Sequence, residues 1–158
     1  MPDFLNGQCF NFAYAVCQEI QNIYPHCDLQ LATAIGTRTH DKDFDWVCIH
    51  CMAGVYSHKK NQAIYVDAQG LHPDSYLEEM AEDWKIVEFE ITGIHEDVDI
   101  FTYDFCDHRE LEMYWHDVEK AGGHKDHAVI EYAQNHIHKN PERFFSKLLQ
   151  ILNNPPGL

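Results

Sequence analysis

The chain has 158 residues, the size of one ordinary domain with its own hydrophobic core. Its 26 acidic residues outnumber its 11 basic residues, which gives a net charge of −15 when histidine is neutral. A surface of this sign repels phosphates and anionic lipids, so the charge argues against nucleic-acid binding and membrane association and favours a basic partner.

The cysteines and the N-terminal residues indicate a compartment. Residues 1–8 contain no basic stretch leading into an apolar one, and no run approaches the roughly 20 apolar residues that a bilayer span needs. Six cysteines in a chain without a signal peptide are typical of reduced thiols. We therefore expect a cytoplasmic protein, while a secreted effector without a cleavable signal stays open.

The predicted elements begin with a helix. Apolar residues recur at helical spacing from Gln8 to Ile23, after a turn at Asn6 and Gly7, and Pro25 ends the pattern. A strand is predicted to end at Gly36, and residues 37–45 are typical of a polar loop. The most strand-like segment covers 44–56, with one apolar face formed by Val47, Ile49, Cys51, Ala53 and Val55.

The second half of the chain is predicted to turn from strands to helices. A turn at 57–62 precedes a short strand over 63–70, then a short helix over 73–84 and a strand over 85–91. Three helical patterns follow, at about 107–120, 125–138 and 141–153. We expect one α+β domain over 1–158, in which an N-terminal helix packs on an antiparallel sheet (about 5–105) and C-terminal helices follow (about 106–158).

Cys9 opens the first predicted helix, in the stretch "NGQCFNFA". The N–H groups of a first helical turn have no partner within the helix, and the helix dipole there favours negative charge. The reactive form of cysteine is the thiolate, whose formation such a position promotes. Cys9 is therefore a candidate nucleophile, and the alternative is a small apolar side chain packed under Phe12.

A nucleophilic thiol needs a base, and the base needs an orienting group. His50 lies on the long predicted strand, and Asp67 lies on the next one. In a regular hairpin turning near His58 and Lys59, His50 and Asp67 would be directly opposite and share a face. A carboxylate on an inner strand also requires a partner. We favour His50 over His58 as the base, because turn tips are usually solvated.

The three motifs "GQCFNFAYAV", "VCIHCMAGV" and "YVDAQG" together resemble the core of the papain-like cysteine peptidase superfamily in its bacterial form. They are similar also to the transglutaminase-like branch of that architecture. The resemblance covers about residues 5–72 and implies that Cys9 is the nucleophile, His50 the general base and Asp67 the orienting carboxylate. It leaves the side-chain donor to the oxyanion open between Gln8 and Asn6.

Metal binding is the weaker interpretation of the remaining Cys and His residues. Cys48 and Cys51 would point to opposite faces of a strand and could not share one zinc ion. His124, His127 and Glu131 would share one helical face, which we interpret as a solvated polar stripe. We expect no metal and no cofactor.

Three functions follow from these observations. The first is a thiol-dependent amide hydrolase that cuts a protein or peptide, including basic ones, through an acyl-enzyme intermediate. The second is a glutamine deamidase or acyltransferase of the transglutaminase-like kind, because the triad chemistry is common to both. The third is a non-catalytic acidic protein that binds or inhibits a basic partner. The sequence does not indicate the oligomeric state.

Overall fold

The computed structural model describes residues 8–40, 43–57, 62–73, 75–76, 78–80, 82 and 97–145. Helix α1 covers Cys9–Ile23. Strands follow at Asp28–His40 (β1), Asp43–Ser57 (β2), Gln62–Asp67 (β3), Gly70–His72 (β4) and Asp97–Asp104 (β5). Helices α2, His108–Lys120, and α3, His127–Lys139, come next, and residues 141–145 are helical.

The five strands form one antiparallel sheet in the order β4-β3-β2-β1-β5. The chain thus has the predicted α+β class, with a helix, an antiparallel sheet and then helices. Among the residues described, no helix has the length and apolar character that crossing a bilayer requires.

Helix α1 forms the centre of the main hydrophobic core. It is buried on most sides between Cys9 and Ile20, and the predicted apolar residues Phe12, Val16 and Ile20 are among the buried ones. That core also contains residues of β1 and β2 at alternating positions, namely Leu29, Leu31, Cys51, Ala53 and Val55. A smaller cluster contains the intervening residues Ala32, Ala34 and Met52. Since alternate residues of a strand point to opposite faces, the sheet is covered on both sides.

The predicted loop over 37–45 is wrong. Thr37 pairs with Trp46 and Thr39 with Phe44, so β1 and β2 continue through this region and approach each other as far as the His40–Asp43 pair. The prediction relied on apolar side chains, whereas strand pairing depends on backbone hydrogen bonds, and β-branched threonine favours strands. Strand β5, next to β1, was not predicted, and the predicted strand 85–91 lies outside the described residues.

The helical predictions agree better with the structure, because capping signals mark them. The carboxylate of Asp107 accepts hydrogen bonds from Arg109 N and Glu110 N at the start of α2. Asp126 does the same for Ala128 N and Val129 N at the start of α3. These caps satisfy N–H groups that a helix leaves without an internal partner. His124 therefore precedes α3 and is not on one helical face with His127 and Glu131, but all three side chains are exposed, as the interpretation of a solvated polar stripe requires.

Candidate active site

Cys9 is the first residue of α1. The preceding residue, Gln8, is the N-cap and makes no side-chain capping bond, and the first turn of α1 holds no acidic residue. This end of the helix therefore differs from the aspartate-capped starts of α2 and α3. The positive end of the α1 dipole lies beside the Cys9 thiol, where it favours the thiolate.

His50 brings together the thiol and a carboxylate. Its Nε2 lies 2.8 Å from Oδ2 of Asp67, and its ring also hydrogen-bonds the side chain of Cys9. Because Asp67 occupies Nε2, the nitrogen that faces the thiol is Nδ1. The exposed fractions are only 4% for Cys9, 3% for His50 and 3% for Asp67. The structure thus places the three predicted site residues in one buried chain of hydrogen bonds.

The pKa of His50 is raised from 6.5 to about 9. Burial is the largest single influence and lowers this pKa. The hydrogen bonds to Asp67 and Cys9 and the negative charges of both groups together raise the pKa by more than burial lowers it. At neutral pH this histidine therefore carries a proton beside the sulfur. An imidazolium that contacts a thiolate is the arrangement that activates cysteine for nucleophilic attack.

Asp67 is held at both oxygens. Oδ1 accepts hydrogen bonds from the backbone N–H of Gln69 at 2.8 Å and from Nε2 of His72 at 2.7 Å, while Oδ2 accepts from His50. Burial raises the pKa of Asp67, but the bonds from His50, His72 and Gln69 outweigh it, so the pKa lies below 3.8. Asp67 is therefore ionised and has one fixed orientation.

The predicted register between β2 and β3 is wrong by two residues. Ala53 pairs with Val66 rather than with Ile64, so His50 and Asp67 are diagonal rather than directly opposite. Because side-chain direction repeats every two residues, a shift of two keeps Asp67 on the expected face. Diagonal neighbours are still within reach of a long side chain such as histidine.

A bulge lies immediately before His50. Ala34 pairs with His50 and Ile35 with Cys48, which leaves Ile49 as an extra residue in β2. A bulge interrupts the alternation of a strand and redirects the neighbouring side chain. The regular alternation that the prediction assumed for the segment 44–56 is therefore interrupted between Cys48 and His50.

Two further residues support the site, and the sequence reasoning missed both. His72 contacts Asp67 because a two-residue turn, followed by Gly70 with a φ of 122°, returns the chain alongside β3. An Asp-x-x-Gly pattern after a strand could have indicated that turn. Asn11 is fully buried and donates to Oε1 of Gln8 at 2.8 Å. A polar residue three positions after a helix N-cap was its only signal.

Of the two candidate oxyanion donors, Gln8 is among the described residues and Asn6 is not. Gln8 accepts a hydrogen bond from Asn11 at its amide oxygen, so the donor that its side chain can offer is Nε2. Asn6 lies outside the described residues, as does His58, the competing base. Within the described parts of the chain, no group of three or more His, Cys, Asp or Glu side chains is arranged to hold a metal ion.

Comparisons with family models, with curated proteins and with solved structures found no match for this chain.

Proposed function

We propose that the protein is a thiol-dependent hydrolase of amide bonds that works through a Cys9–His50–Asp67 triad. The observation that carries the proposal is the buried His50 ring, which hydrogen-bonds Asp67 on one side and Cys9 on the other. The resemblance of the three motifs to papain-like cysteine peptidases supports the same assignment. Peptides are the proposed substrates, and the negative surface favours basic ones.

In the proposed reaction, the Cys9 thiolate attacks the amide carbonyl carbon and a C–S bond forms. The first-turn N–H groups of α1 and the Gln8 side-chain amide would donate to the resulting oxyanion. The His50 imidazolium gives its proton to the leaving nitrogen, the C–N bond breaks and an acyl-enzyme remains. His50, now neutral, takes a proton from a water molecule whose oxygen attacks the thioester carbon. The C–S bond then breaks, the acid leaves, and the Cys9 thiolate beside protonated His50 is restored.

The test is selective alkylation of the native protein by limiting iodoacetamide near pH 6, with the adducts mapped by mass spectrometry. Cys9 should be labelled first although it is buried, because only a thiolate reacts quickly. Cys106 is the internal control: it is exposed, and its pKa is raised, by burial first and then by the charge of Asp104. Labelling of Cys106 before Cys9 would contradict an activated Cys9.

A matched pair of variants identifies the base. His50→Gln should slow the alkylation of Cys9 at pH 6 by about tenfold or more, because each pKa unit of lost stabilisation of the thiolate is a factor of ten. His138→Gln is the control, since His138 pairs with Glu19 at 2.8 Å and is largely exposed. Equal rates in the two variants would remove His50 from the proposed reaction.

A non-catalytic binding function is the second candidate, favoured by the net charge of −15. Cys9→Ala separates the two functions when the biological effect of the protein is measured. Loss of the effect is expected of a hydrolase, whereas an effect that survives Cys9→Ala and disappears on reversal of acidic surface charges would identify a binding protein.

A further inference from the structure

Asp67 is shared by two histidines that approach it from different strands. His50 of β2 contacts Oδ2 at 2.8 Å, and His72 of β4 contacts Oδ1 at 2.7 Å. The triad uses only the first contact. The second is shorter and equally direct, so it calls for a role of its own.

The position of His72 is fixed independently of the triad. Its backbone pairs with Tyr65 in the β3–β4 ladder. Its ring stacks on the ring of Tyr76, with 3.8 Å between centroids and an angle of 6° between planes. A ring held on its face and by its backbone has little freedom to turn, so its Nε2–H offers a fixed donor.

The carboxylate that receives this bond can only accept. Asp67 is ionised, so His72 must donate through Nε2–H in either of its charge states. Among the described residues, the other charged or titratable groups around this corner include His50, Tyr76 and Arg143, whose Nε donates to the Gln69 carbonyl at 3.4 Å. Without His72, Oδ1 would lose one of the two hydrogen bonds that it accepts from described residues and would keep that of the Gln69 N–H, so the carboxylate could rotate away from His50.

We propose that His72 is a positioning residue of the site: it holds Oδ1 of Asp67 so that Oδ2 stays on His50 Nε2 and Nδ1 of His50 stays on the Cys9 thiol. This inference rests on the proposed function and adds a fourth residue to the proposed triad. His72 lies outside the hydrogen-bonded pair of thiol and base, and its side chain is 14% exposed against 3% for Asp67. It therefore acts on the thiol only through Asp67 and His50.

The first measurement is the pH dependence of the Cys9 alkylation rate in His72→Leu, His72→Gln and His138→Leu. Leucine removes the donor, so the rise in rate should move to higher pH by about one unit, the worth of one hydrogen bond to a charged group after partial relaxation. Glutamine retains an N–H donor and should leave the profile close to that of the unchanged protein. His138→Leu removes an unrelated histidine–carboxylate pair and should not move the profile.

The second measurement does not depend on thiol reactivity. In a Cys9→Ala background, the His50 ring is titrated by nitrogen-detected NMR with and without His72→Leu. The pKa of His50 should fall by about one unit when His72 is removed. Tyr76→Leu provides a milder variant that keeps the donor and loosens its ring, and a smaller fall is expected.

Each result has a definite meaning. An unchanged His50 titration in His72→Leu overturns the role of His72, whether or not the thiol is activated. A similar shift in His72→Gln and His72→Leu also overturns it, because a hydrogen-bond donor would then not restore the function. Failure of Cys9 to react in the unchanged protein, with a shifted His50 titration, rejects the proposed function and leaves the His72–Asp67–His50 coupling in place.

Discussion

At the residue scale, the central fact is that one protonated histidine lies between two groups that can carry negative charge, the thiol of Cys9 and the carboxylate of Asp67. His50 is buried, which alone would favour its neutral form, yet Asp67 and Cys9 together raise its pKa to about 9. Because of these two groups, His50 binds its proton more tightly in the folded protein than in the unfolded chain. That binding makes the site measurable without a substrate.

In a Cys9→Ala background, protein stability should fall as the pH rises above 6.5. Asp67 still accepts a hydrogen bond from His50 there and raises its pKa, so the contribution is fully present below pH 6.5 and is lost as the pH passes the folded-state pKa. With the thiol present, the proton that Cys9 loses would offset the proton that His50 gains, because the two groups titrate as a pair. Denaturant unfolding of Cys9→Ala and of the double variant Cys9→Ala/His50→Gln, compared across this range, measures the contribution.

Two details make that comparison decisive. Added to the Cys9→Ala background, His138→Gln alters the contact of the largely exposed His138 with the buried Glu19 and should show the same pH dependence as its parent. The pKa of Asp67 is lowered, so its own contribution is lost only as the pH falls below 3.8 and does not enter the alkaline window. A constant difference between Cys9→Ala and Cys9→Ala/His50→Gln across the window would show that His50 binds its proton no more tightly when folded.

Much of this site could be predicted at the level of single residues. Cys9 at a helix start and Asp67 on an inner strand are chemically conspicuous, and each needs a partner. The partner of Oδ1 was invisible, because His72 is an ordinary residue in a short strand whose position depends on the turn before it. The roles of Cys9, His50 and Asp67 remain predictions, whereas their proximity is a property of the structure.

At the element scale, the first turn of α1 is held by hydrogen bonds to α2 and to the loop between α2 and α3. The Asn11 side chain donates to the His124 carbonyl at 3.2 Å and accepts from Asp126 N at 3.2 Å, and the hydroxyl of Tyr114 donates to the Phe10 carbonyl at 2.8 Å. The helix that presents Cys9 is thus positioned by residues more than 100 places further along the chain.

Asn11→Leu should destabilise the fold by about 1–3 kcal/mol, since it removes the hydrogen bonds of the buried Asn11 side chain to Gln8 and to two backbone groups of the loop. It should also slow the alkylation of Cys9, because the Gln8 amide and the first helical turn lose their support. Urea unfolding and the labelling rate measure the two effects. Gln134→Leu is the control: it breaks a bond to Gln18 of 2.9 Å between α1 and α3 that lies away from the site.

The control should lose little stability and no reactivity. If Asn11→Leu and Gln134→Leu slow the labelling of Cys9 alike, the loop does not position the start of α1, and the effect is one of general stability.

The elements were predicted unevenly, for physical reasons. Helices could be predicted from periodic apolar residues and from the aspartates Asp107 and Asp126 at the helix starts. The long β1–β2 hairpin contains polar residues where the prediction expected a loop. Backbone pairing does not require a particular residue composition, so it could not be predicted from these residues. The bulge at Ile49 depends on the fit of two strands to each other, which no single strand specifies.

At the scale of the whole molecule, the dominant feature is the surplus of 15 negative charges. Such a surface repels itself, which destabilises the compact state most when salt is low. Raising sodium chloride from about 10 mM to about 150 mM shortens the screening length from about 30 Å to about 8 Å. The melting temperature should therefore rise by a few degrees over this range.

The reactivity of Cys9 towards a neutral reagent should stay nearly constant over the same salt series. His50 and Asp67 are buried, and buried pairs are screened far less than surface charges. Differential scanning calorimetry and iodoacetamide labelling at each salt concentration test the two halves of this prediction. A melting temperature that does not respond to salt would mean that the acidic surface exerts no net repulsion.

The turn after α2 brings Gly123 against the ring of Phe10, and an added Cβ at this position would lie 2.6 Å from Phe10 Cζ. At the neighbouring Gly122, the same addition would meet nothing within 4 Å, although its φ of 88° adds some strain. Phe10 directly follows the proposed nucleophile. In a mutational library selected for activity, substitutions at position 123 should therefore be depleted, while alanine at position 122 should cost only the strain of its positive φ. Intolerance at Gly123, which is far from Cys9 in the chain, would show that activity depends on the packing around Phe10 as well as on the reacting groups.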